Sequence, residues 1–240
     1  MTSRLALLLS AVLLLVGGCS TFEPGADVNA VPILVVGGWF DPGFGADRAT
    51  DELRERLPGR PIVGVSPGFH GSFDGAAAAV VAELEKHFPS DDPTATIEVD
   101  VIAISMGGLT ARHAATDEPP GKRLRVRRMF TLASPHSGAL LAERWGFFGS
   151  GADMRPGSGF LADLSRREVT SPDAWRYPIV QYARDRDFTI GEDGVELPEH
   201  LQRRGLLIRM PTPWYLTGHR GIYGDDRIFD DIVRRMNGDG

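Results

Sequence analysis

The stretch VDVIAISMGG, residues Val99 to Gly108, is a run of β-branched and small apolar residues that ends at one serine and continues as Met-Gly-Gly. Such a run is typical of a buried strand, and we predict a strand over residues 96–104 and a helix over 106–115. When a strand passes into a helix within one sharp turn, the residue at the apex adopts a sparsely populated backbone conformation, and the residues two positions away must be small. Ala103 and Gly107 meet this requirement on either side of Ser105. The stretch therefore predicts a serine at the apex of a strand-turn-helix.

The same alternation of strand and helix patterns extends in both directions from this turn. Strands are predicted at 31–38, 61–67, 96–104, 126–134, 177–183 and 212–218, and helices at 46–57, 74–88, 106–115 and 225–236. Alternating elements of this kind favour a mainly parallel sheet with helices on both faces. In the last helix acidic residues come first and Arg234 and Arg235 come last, as the helix dipole favours.

The turn around Ser105 resembles the nucleophile elbow of the α/β-hydrolase family, particularly its small serine lipases and esterases. The usual pattern is G-x-S-x-G, and here Ala103 replaces the first glycine. The resemblance implies an α/β-hydrolase fold with about six strands and a short lid-like insertion, and it implies that Ser105 is the nucleophile.

A serine hydroxyl is a weak nucleophile, so it needs a base and a group that orients the base, which follow in the order acid and then histidine. The resemblance implies His219 as the base, because it lies between the sixth predicted strand and the last helix. It implies Asp187, just past the fifth strand, as the acid, with Asp185 as the alternative. His136 lies in TLASPHSG, which resembles a turn of many lipases whose histidine is not the base, so we interpret His136 as structural or pocket-lining.

An acyl-transfer site also needs N–H donors for the oxyanion. We expect the N–H of Met106 to supply one of them. The turn VVGGWFDPG resembles the family's H-G-x turn with Gly37 in place of the histidine, which implies the N–H of Trp39 as the second donor and Phe40 as the alternative.

The N-terminus predicts export. Residues 5–16 are apolar or small, too few to span a bilayer but typical of the hydrophobic region of a signal peptide. The following VGGC resembles the lipobox of bacterial lipoproteins, which implies acylation of Cys19, the only cysteine. An incidental cysteine beside an ordinary signal peptide is the alternative. We thus predict a signal peptide at 1–18, a lipidated tether at 19–30 and the hydrolase domain at 31–240, anchored in a bacterial cell envelope, at the outer membrane if the cell has one.

The composition and motifs of the chain limit the kinds of ligand and partner that we expect. The net charge of −6 gives no basic surface for nucleic acid, and the chain has no metal-binding, P-loop or dinucleotide motif, so we expect neither cofactor nor metal. The expected partners are a small-molecule or lipid ester and, through acylated Cys19, a membrane, and the chain is expected to be a monomer.

The substrate is less constrained by the sequence. Residues 143–164 lie where a lid is usual and contain Trp145, Phe147, Phe148 and Phe160, which would suit a mobile apolar lid over 145–160 or the insertion's own packing core equally well. A carboxylic ester is the leading substrate, although the same machinery can cleave amides or transfer acyl groups. The alternative from another class is a non-catalytic envelope lipoprotein that uses the scaffold for binding.

Overall fold

The computed structural model describes residues 30–238 except 40, 42, 68–69, 118, 120, 147, 171–176 and 212–217. For residues 145 and 220 it describes the main chain only. The predicted signal peptide, Cys19, nearly all of the tether, Phe40 and the strand predicted at 212–218, apart from its last residue, therefore lie outside the described residues.

The described residues form a six-stranded sheet in the order β2-β1-β3-β4-β5-β6, in which every neighbouring pair is parallel. The strands are β1 Ile33–Val36, β2 Ile62–Val65, β3 Ala95–Ile104, β4 Arg123–Leu132, β5 Ile179–Arg184 and β6 Gly205–Met210. The predicted parallel sheet is confirmed. Because all strands run in the same direction, the loops that follow them meet at one edge, the carboxyl edge of the sheet.

Helices cover both faces of this sheet. They are α1 Phe44–Arg56, α2 Phe73–His87, α3 Met106–Ala114, α4 Leu140–Trp145, α5 Gly149–Asp153, α6 Gly159–Thr170, α7 Glu199–Gln202 and α8 Asp226–Met236, with a 3₁₀ helix at Arg220–Gly224. On one face Leu34 and Val36 pack with α2 and α3, and on the other Ile33 and Val35 pack with α1 and α8. Both faces of β1 are buried, which explains why its sequence is a continuous apolar run rather than an alternating one.

Two parts of the fold differ in detail from the sequence patterns. β6 occupies residues 205–210, where the sequence patterns predict no element, since the apolar run there is confined to residues 206–208. The insertion between β4 and β5, for which the sequence patterns predict no helix, contains the three helices α4, α5 and α6 among its described residues. Met154, Leu161 and Leu164 from this insertion are buried together with Met106 and Leu109 of α3. Part of the insertion is thus a packed layer on α3.

A buried carboxylate joins the elements at the amino edge of the sheet. Asp100 on β3 has no exposed surface and accepts hydrogen bonds from Arg60, Arg127 and Arg128. Arg60 also donates to the carbonyl of Val31, and Arg128 to the main chain at the end of α8. Burial alone would raise the pKa of Asp100, but the hydrogen bonds from Arg127 and Arg128 outweigh it and lower this pKa.

Candidate active site

Ser105 lies at the apex of the turn from β3 into α3, with φ 51° and ψ −124°. This strained conformation is imposed by close packing of the two elements against β1. A Cβ at Gly107 would lie 2.5 Å from the carbonyl oxygen of Val36 and 2.7 Å from that of Gly37, so only glycine fits there. Ala103 is fully buried within the sheet, and its methyl group is accommodated. The structure thus has the strand-turn-helix that the sequence predicts.

Ser105, His219 and Asp187 form a continuous chain of hydrogen bonds at the carboxyl edge. The Oγ of Ser105 lies 3.0 Å from Nε2 of His219, and Nδ1 of His219 lies 2.8 Å from Oδ2 of Asp187. Asp187 is 5% exposed, and its Oδ1 accepts from the N–H groups of Thr189 and Ile190 at 3.0 and 3.1 Å. A carboxylate held this way presents Oδ2 to an Nδ1–H, which leaves Nε2 of the imidazole to accept the serine proton.

The structure brings Asp187 to His219, whereas Asp185 is exposed. The intervening residue, Arg186, has φ 60°, a left-handed conformation that turns the chain between the two aspartates. Gly218 packs against this turn, and a Cβ there would lie 2.6 Å from the carbonyl oxygen of Arg186. The residue before His219 therefore has to be small for the base to come close to the acid.

Of the two residues expected to supply oxyanion donors, Met106 directly follows Ser105, and Trp39 directly follows a glycine that packs against Ser105. α3 begins at Met106, whose N–H belongs to the first turn of the helix, where main-chain donors have no partner within the helix. Gly38, the residue before Trp39, faces the serine, since a Cβ there would lie 3.1 Å from Cβ of Ser105. The Trp39 ring rests on α5, with ring atoms 3.0 and 3.1 Å from where a Cβ at Gly151 would lie.

The loop that carries Trp39 is held by Asp41, a residue that the sequence analysis does not single out. Its carboxylate accepts from the N–H groups of Gly43, Gly45 and Ala46 at 3.1, 3.0 and 3.1 Å. It thereby satisfies the free donors at the start of α1 and fixes the loop between β1 and α1. The signal in the sequence is an aspartate before Pro-Gly at the start of a predicted helix.

His136 is part of a buried hydrogen-bond network with Arg112 and Thr131. Its Nδ1 accepts from Nη1 of Arg112 at 3.1 Å, so its Nε2 is left to donate to Oγ1 of Thr131 at 3.1 Å. Burial, reinforced by the Arg112 charge, holds the pKa of His136 well below its usual value. Arg112 is itself paired with the buried Glu168 of α6 at 2.8 Å. His136 is thus a neutral side chain whose hydrogen bonds link α3 to β4.

Exposed apolar side chains are concentrated at the same edge as the triad. Phe44, Phe148 and Phe188 are 80, 88 and 79% exposed, and Leu140 and Leu141 are 38 and 40% exposed. All five lie in segments that follow β1, β4 or β5. The N–H groups of Leu140 and Leu141 bond to the carbonyl oxygens of residues 190 and 189, which joins the start of α4 to the loop of Asp187. We call these five residues the apolar rim.

The aromatic residues of the insertion have different environments. Phe160 stacks on Phe73 of α2 at 4.0 Å between ring centroids, so it belongs to the packing core, whereas Phe148 is exposed. Phe147 lies outside the described residues.

In the part of the chain that the structure describes, no group of three or more His, Cys, Asp or Glu side chains is arranged to hold a metal ion. Across the same residues, no helix is both long and apolar enough to cross a bilayer.

Comparison with solved structures identifies the fold. A lipase-esterase related protein from Clostridium acetobutylicum is 11% identical with a TM-score of 0.56, over 91% of this chain and 98% of that one. The esterase domain of a Rhodothermus marinus protein is 14% identical with a TM-score of 0.57, over 90 and 89%. Est1E from Butyrivibrio proteoclasticus is 14% identical with a TM-score of 0.56, also over 90 and 89%. The chain therefore has the α/β-hydrolase fold. No protein-family model matches the sequence, and no curated protein matches it.

Proposed function

We propose that this protein is a serine hydrolase that cleaves carboxylic esters through an acyl-enzyme intermediate. The observation that carries the proposal is the hydrogen-bonded chain from Ser105 through His219 to Asp187, with distances of 3.0 and 2.8 Å. This chain supplies a nucleophile, a base and a group that orients the base on a fold shared with known esterases.

The geometry defines a sequence of proton transfers. Oγ of Ser105 attacks the ester carbonyl while Nε2 of His219 takes its proton, and the N–H groups of Met106 and Trp39 stabilise the negative oxygen that forms. The intermediate collapses as His219 gives the proton to the departing alcohol, which leaves the acyl group on Ser105. Water then attacks the acyl-enzyme by the same steps and releases the acid. Asp187 stays ionised and holds the imidazolium.

The apolar rim supports esters with an apolar acyl or alcohol part as the substrate class. Three largely exposed phenylalanines in segments that follow strands of the sheet are costly to keep in water if they form one patch, unless that patch contacts an apolar ligand or surface. A panel of esters from acetate to palmitate, with and without detergent micelles, tests this class. Amides and acceptor alcohols in the same panel distinguish hydrolysis of esters from amide cleavage and acyl transfer.

The catalytic proposal is tested with a fluorophosphonate probe and p-nitrophenyl esters. Ser105→Ala is expected to abolish probe labelling and to lower kcat by about 10⁴-fold or more, because the nucleophile is lost. Ser137→Ala, which removes another hydroxyl after β4, is the matched control and should leave both unchanged. If Ser105→Ala labels and turns over like the unaltered protein, the protein is not a serine hydrolase, and the binding-lipoprotein alternative gains support.

The predicted anchor is part of the proposal and has its own test. We expect Cys19 to carry the acyl chains that hold the domain on the cell envelope, since two or more buried chains are needed for durable attachment. Cys19→Ser should move the protein from the membrane fraction to the soluble fraction and abolish labelling with radioactive palmitate. Retention in the membrane fraction, or palmitate labelling of the variant, would refute lipidation at this residue.

A further inference from the structure

We propose that a buried ion pair between Arg184 and Asp225 holds His219 in position against Asp187, so that both are positioning residues for the triad; this rests on the proposed function. Arg184 is the last residue of β5, three before Asp187, and Asp225 follows His219 by six residues and caps α8. Nη2 of Arg184 lies 2.6 Å from Oδ2 of Asp225, and the two side chains are 0 and 5% exposed. The pair therefore connects the strand that carries the acid to the segment that carries the base.

The guanidinium group of Arg184 also forms a hydrogen bond with the segment that follows His219. Nη2 of Arg184 also donates to the carbonyl oxygen of Gly221 at 3.0 Å, within the 3₁₀ helix that starts directly after His219. Ile222 of this helix is fully buried in the core between the sheet, α1 and α8. The 3₁₀ helix is thus fixed to the end of β5 by a polar contact and to the core by an apolar one.

Asp225 is held in turn by its own helix. Its carboxylate accepts from Nε and Nη2 of Arg227 at 2.9 and 2.7 Å and from the Arg227 N–H at 3.3 Å, which caps α8. The hydrogen bonds from Arg227, together with the charge of Arg184, outweigh burial and lower the pKa of Asp225. Asp225 therefore remains a carboxylate, and it places the first turn of α8 at a fixed distance from β5.

Such positioning contacts matter because the triad tolerates only small displacements of His219. His219 has to keep hydrogen bonds to both Ser105 and Asp187, and a displacement of about 1 Å can cost about 10²-fold in rate. A buried ion pair adds little net stability compared with an apolar pair of the same volume. Its directional contacts to Gly221 and Asp225 nevertheless fix the register of the 3₁₀ helix, which apolar contacts alone leave free to slide.

A second hydrogen bond between β5 and α8 provides a matched control. Oη of Tyr182 on β5 donates to Oδ2 of Asp231 on α8 at 2.7 Å. This contact lies further along α8 from His219 than Asp225 does. Its loss should weaken the attachment of α8 to the sheet without moving the imidazole.

The experiment compares the double variant Arg184→Met with Asp225→Asn against Tyr182→Phe. The double variant removes the charged pair together, so that no buried charge is left unpaired, and asparagine still caps α8. We expect kcat for p-nitrophenyl esters to fall by about 10²-fold with KM nearly unchanged. We also expect the low-field proton NMR signal of the His219 Nδ1–H, assigned by its loss in His219→Ala, to broaden or disappear. Tyr182→Phe should lower the unfolding midpoint but leave kcat and the NMR signal as they are.

A folded double variant with the kcat and the low-field signal of the unaltered protein would overturn the proposal, as would a loss of kcat in Tyr182→Phe as large as in the double variant. If the double variant does not fold, Arg184→Lys takes its place, since it keeps the positive charge but its side chain ends one bond short of the position of Nη2, the nitrogen that donates to both acceptors. Retention of kcat and signal in that variant would equally overturn the proposal. If the unaltered protein reacts with neither ester nor probe, the proposed function fails, whereas the NMR signal still shows whether the pair holds the imidazole.

Discussion

Ser105 has a positive φ because β3 must give way to α3 within one residue, and the strain is held by the packing of that turn on β1. The two positions on either side of the serine, 103 and 107, differ in whether they have space for a methyl group. Ala103 lies within the sheet, where one methyl group fits, whereas the α-carbon of Gly107 faces two main-chain carbonyl oxygens that cannot move aside. The departure of this sequence from G-x-S-x-G therefore falls at the position that can accept it.

Gly107→Ala is expected to lower the free energy of unfolding by about 3 kcal/mol, because the added Cβ would lie 2.5 Å from the carbonyl oxygen of Val36 and overpack a rigid contact. Urea unfolding followed by circular dichroism measures this change. Gly159→Ala, at the start of α6 with open space around it, is the control and should be neutral or slightly stabilising. Equal stabilities for the two variants would show that the elbow is not tightly packed against β1.

At the scale of an element, the conformation of the loop between β1 and α1 also depends on close contacts made by a single residue. The carboxylate of Asp41 holds this loop in place, because it accepts hydrogen bonds from three main-chain N–H groups. Gly37 lies so close to Asp41 that a Cβ there would be 2.7 Å from its Oδ2. The start of α1 and the turn at Trp39 are therefore one rigid unit built around a single side chain.

Asp41→Ala should lower kcat by about 10-fold to 10²-fold with a smaller change in KM, because the Trp39 N–H would no longer be held where the oxyanion forms. The lost helix cap should also reduce stability by about 1 kcal/mol. Steady-state kinetics and urea unfolding measure the two effects. Asp51→Ala, which removes an exposed carboxylate from the same helix, is the control, and an equal loss of kcat in both variants would contradict the role given to Asp41.

At the scale of the whole molecule, buried charges make the stability of the fold sensitive to acid. Burial alone would raise the pKa of Glu168, but the charge and hydrogen bonds of Arg112 lower it to about 2. His136 has a lowered pKa as well, mainly because it is buried. Both groups bind a proton more readily in the unfolded chain than in the folded one, so their contributions are present at high pH and are lost as pH falls.

We predict two windows of acid destabilisation, measured by urea unfolding between pH 7 and pH 3. Below pH 6.5 the unfolded chain protonates His136 and the native protein does not, which lowers stability by up to about 1.4 kcal/mol per pH unit. Between the unfolded pKa of Glu168, 4.5, and pH 3, which is still above its native value of about 2, a further loss of about 2 kcal/mol is expected. Asp47 and Asp153, whose pKa values are raised by burial, act in the opposite direction near pH 4.

His136→Gln separates the two windows, because it removes the group that titrates first and leaves Glu168 in place. The variant should be less stable at pH 7 but should lose no further stability through that histidine between pH 6.5 and 5. If its slope in that range matches that of the unaltered protein, another group accounts for the first window.

The sequence by itself determined the features that depend on local physics. Apolar runs predicted five of the six strands, four of them with glycine or serine at the end of the run, and the spacing of small residues around Ser105 predicted the turn, because backbone strain and burial on both faces are imposed within a few residues. The edge strand β6 carries a weaker signal, since its exposed and half-buried residues need no continuous apolar run.

Only the tertiary structure decided which groups meet. Asp187 rather than Asp185 reaches His219 because Arg186 adopts a left-handed conformation against Gly218, and no spacing in the sequence reveals that φ angle. Arg184 and Asp225 are 41 residues apart in the chain and are joined because the end of β5 lies next to the start of α8 in the folded protein. Hydrogen bonds between side chains depend on distances of a few tenths of an ångström, which are fixed by the packing of the whole fold and not by neighbours along the chain.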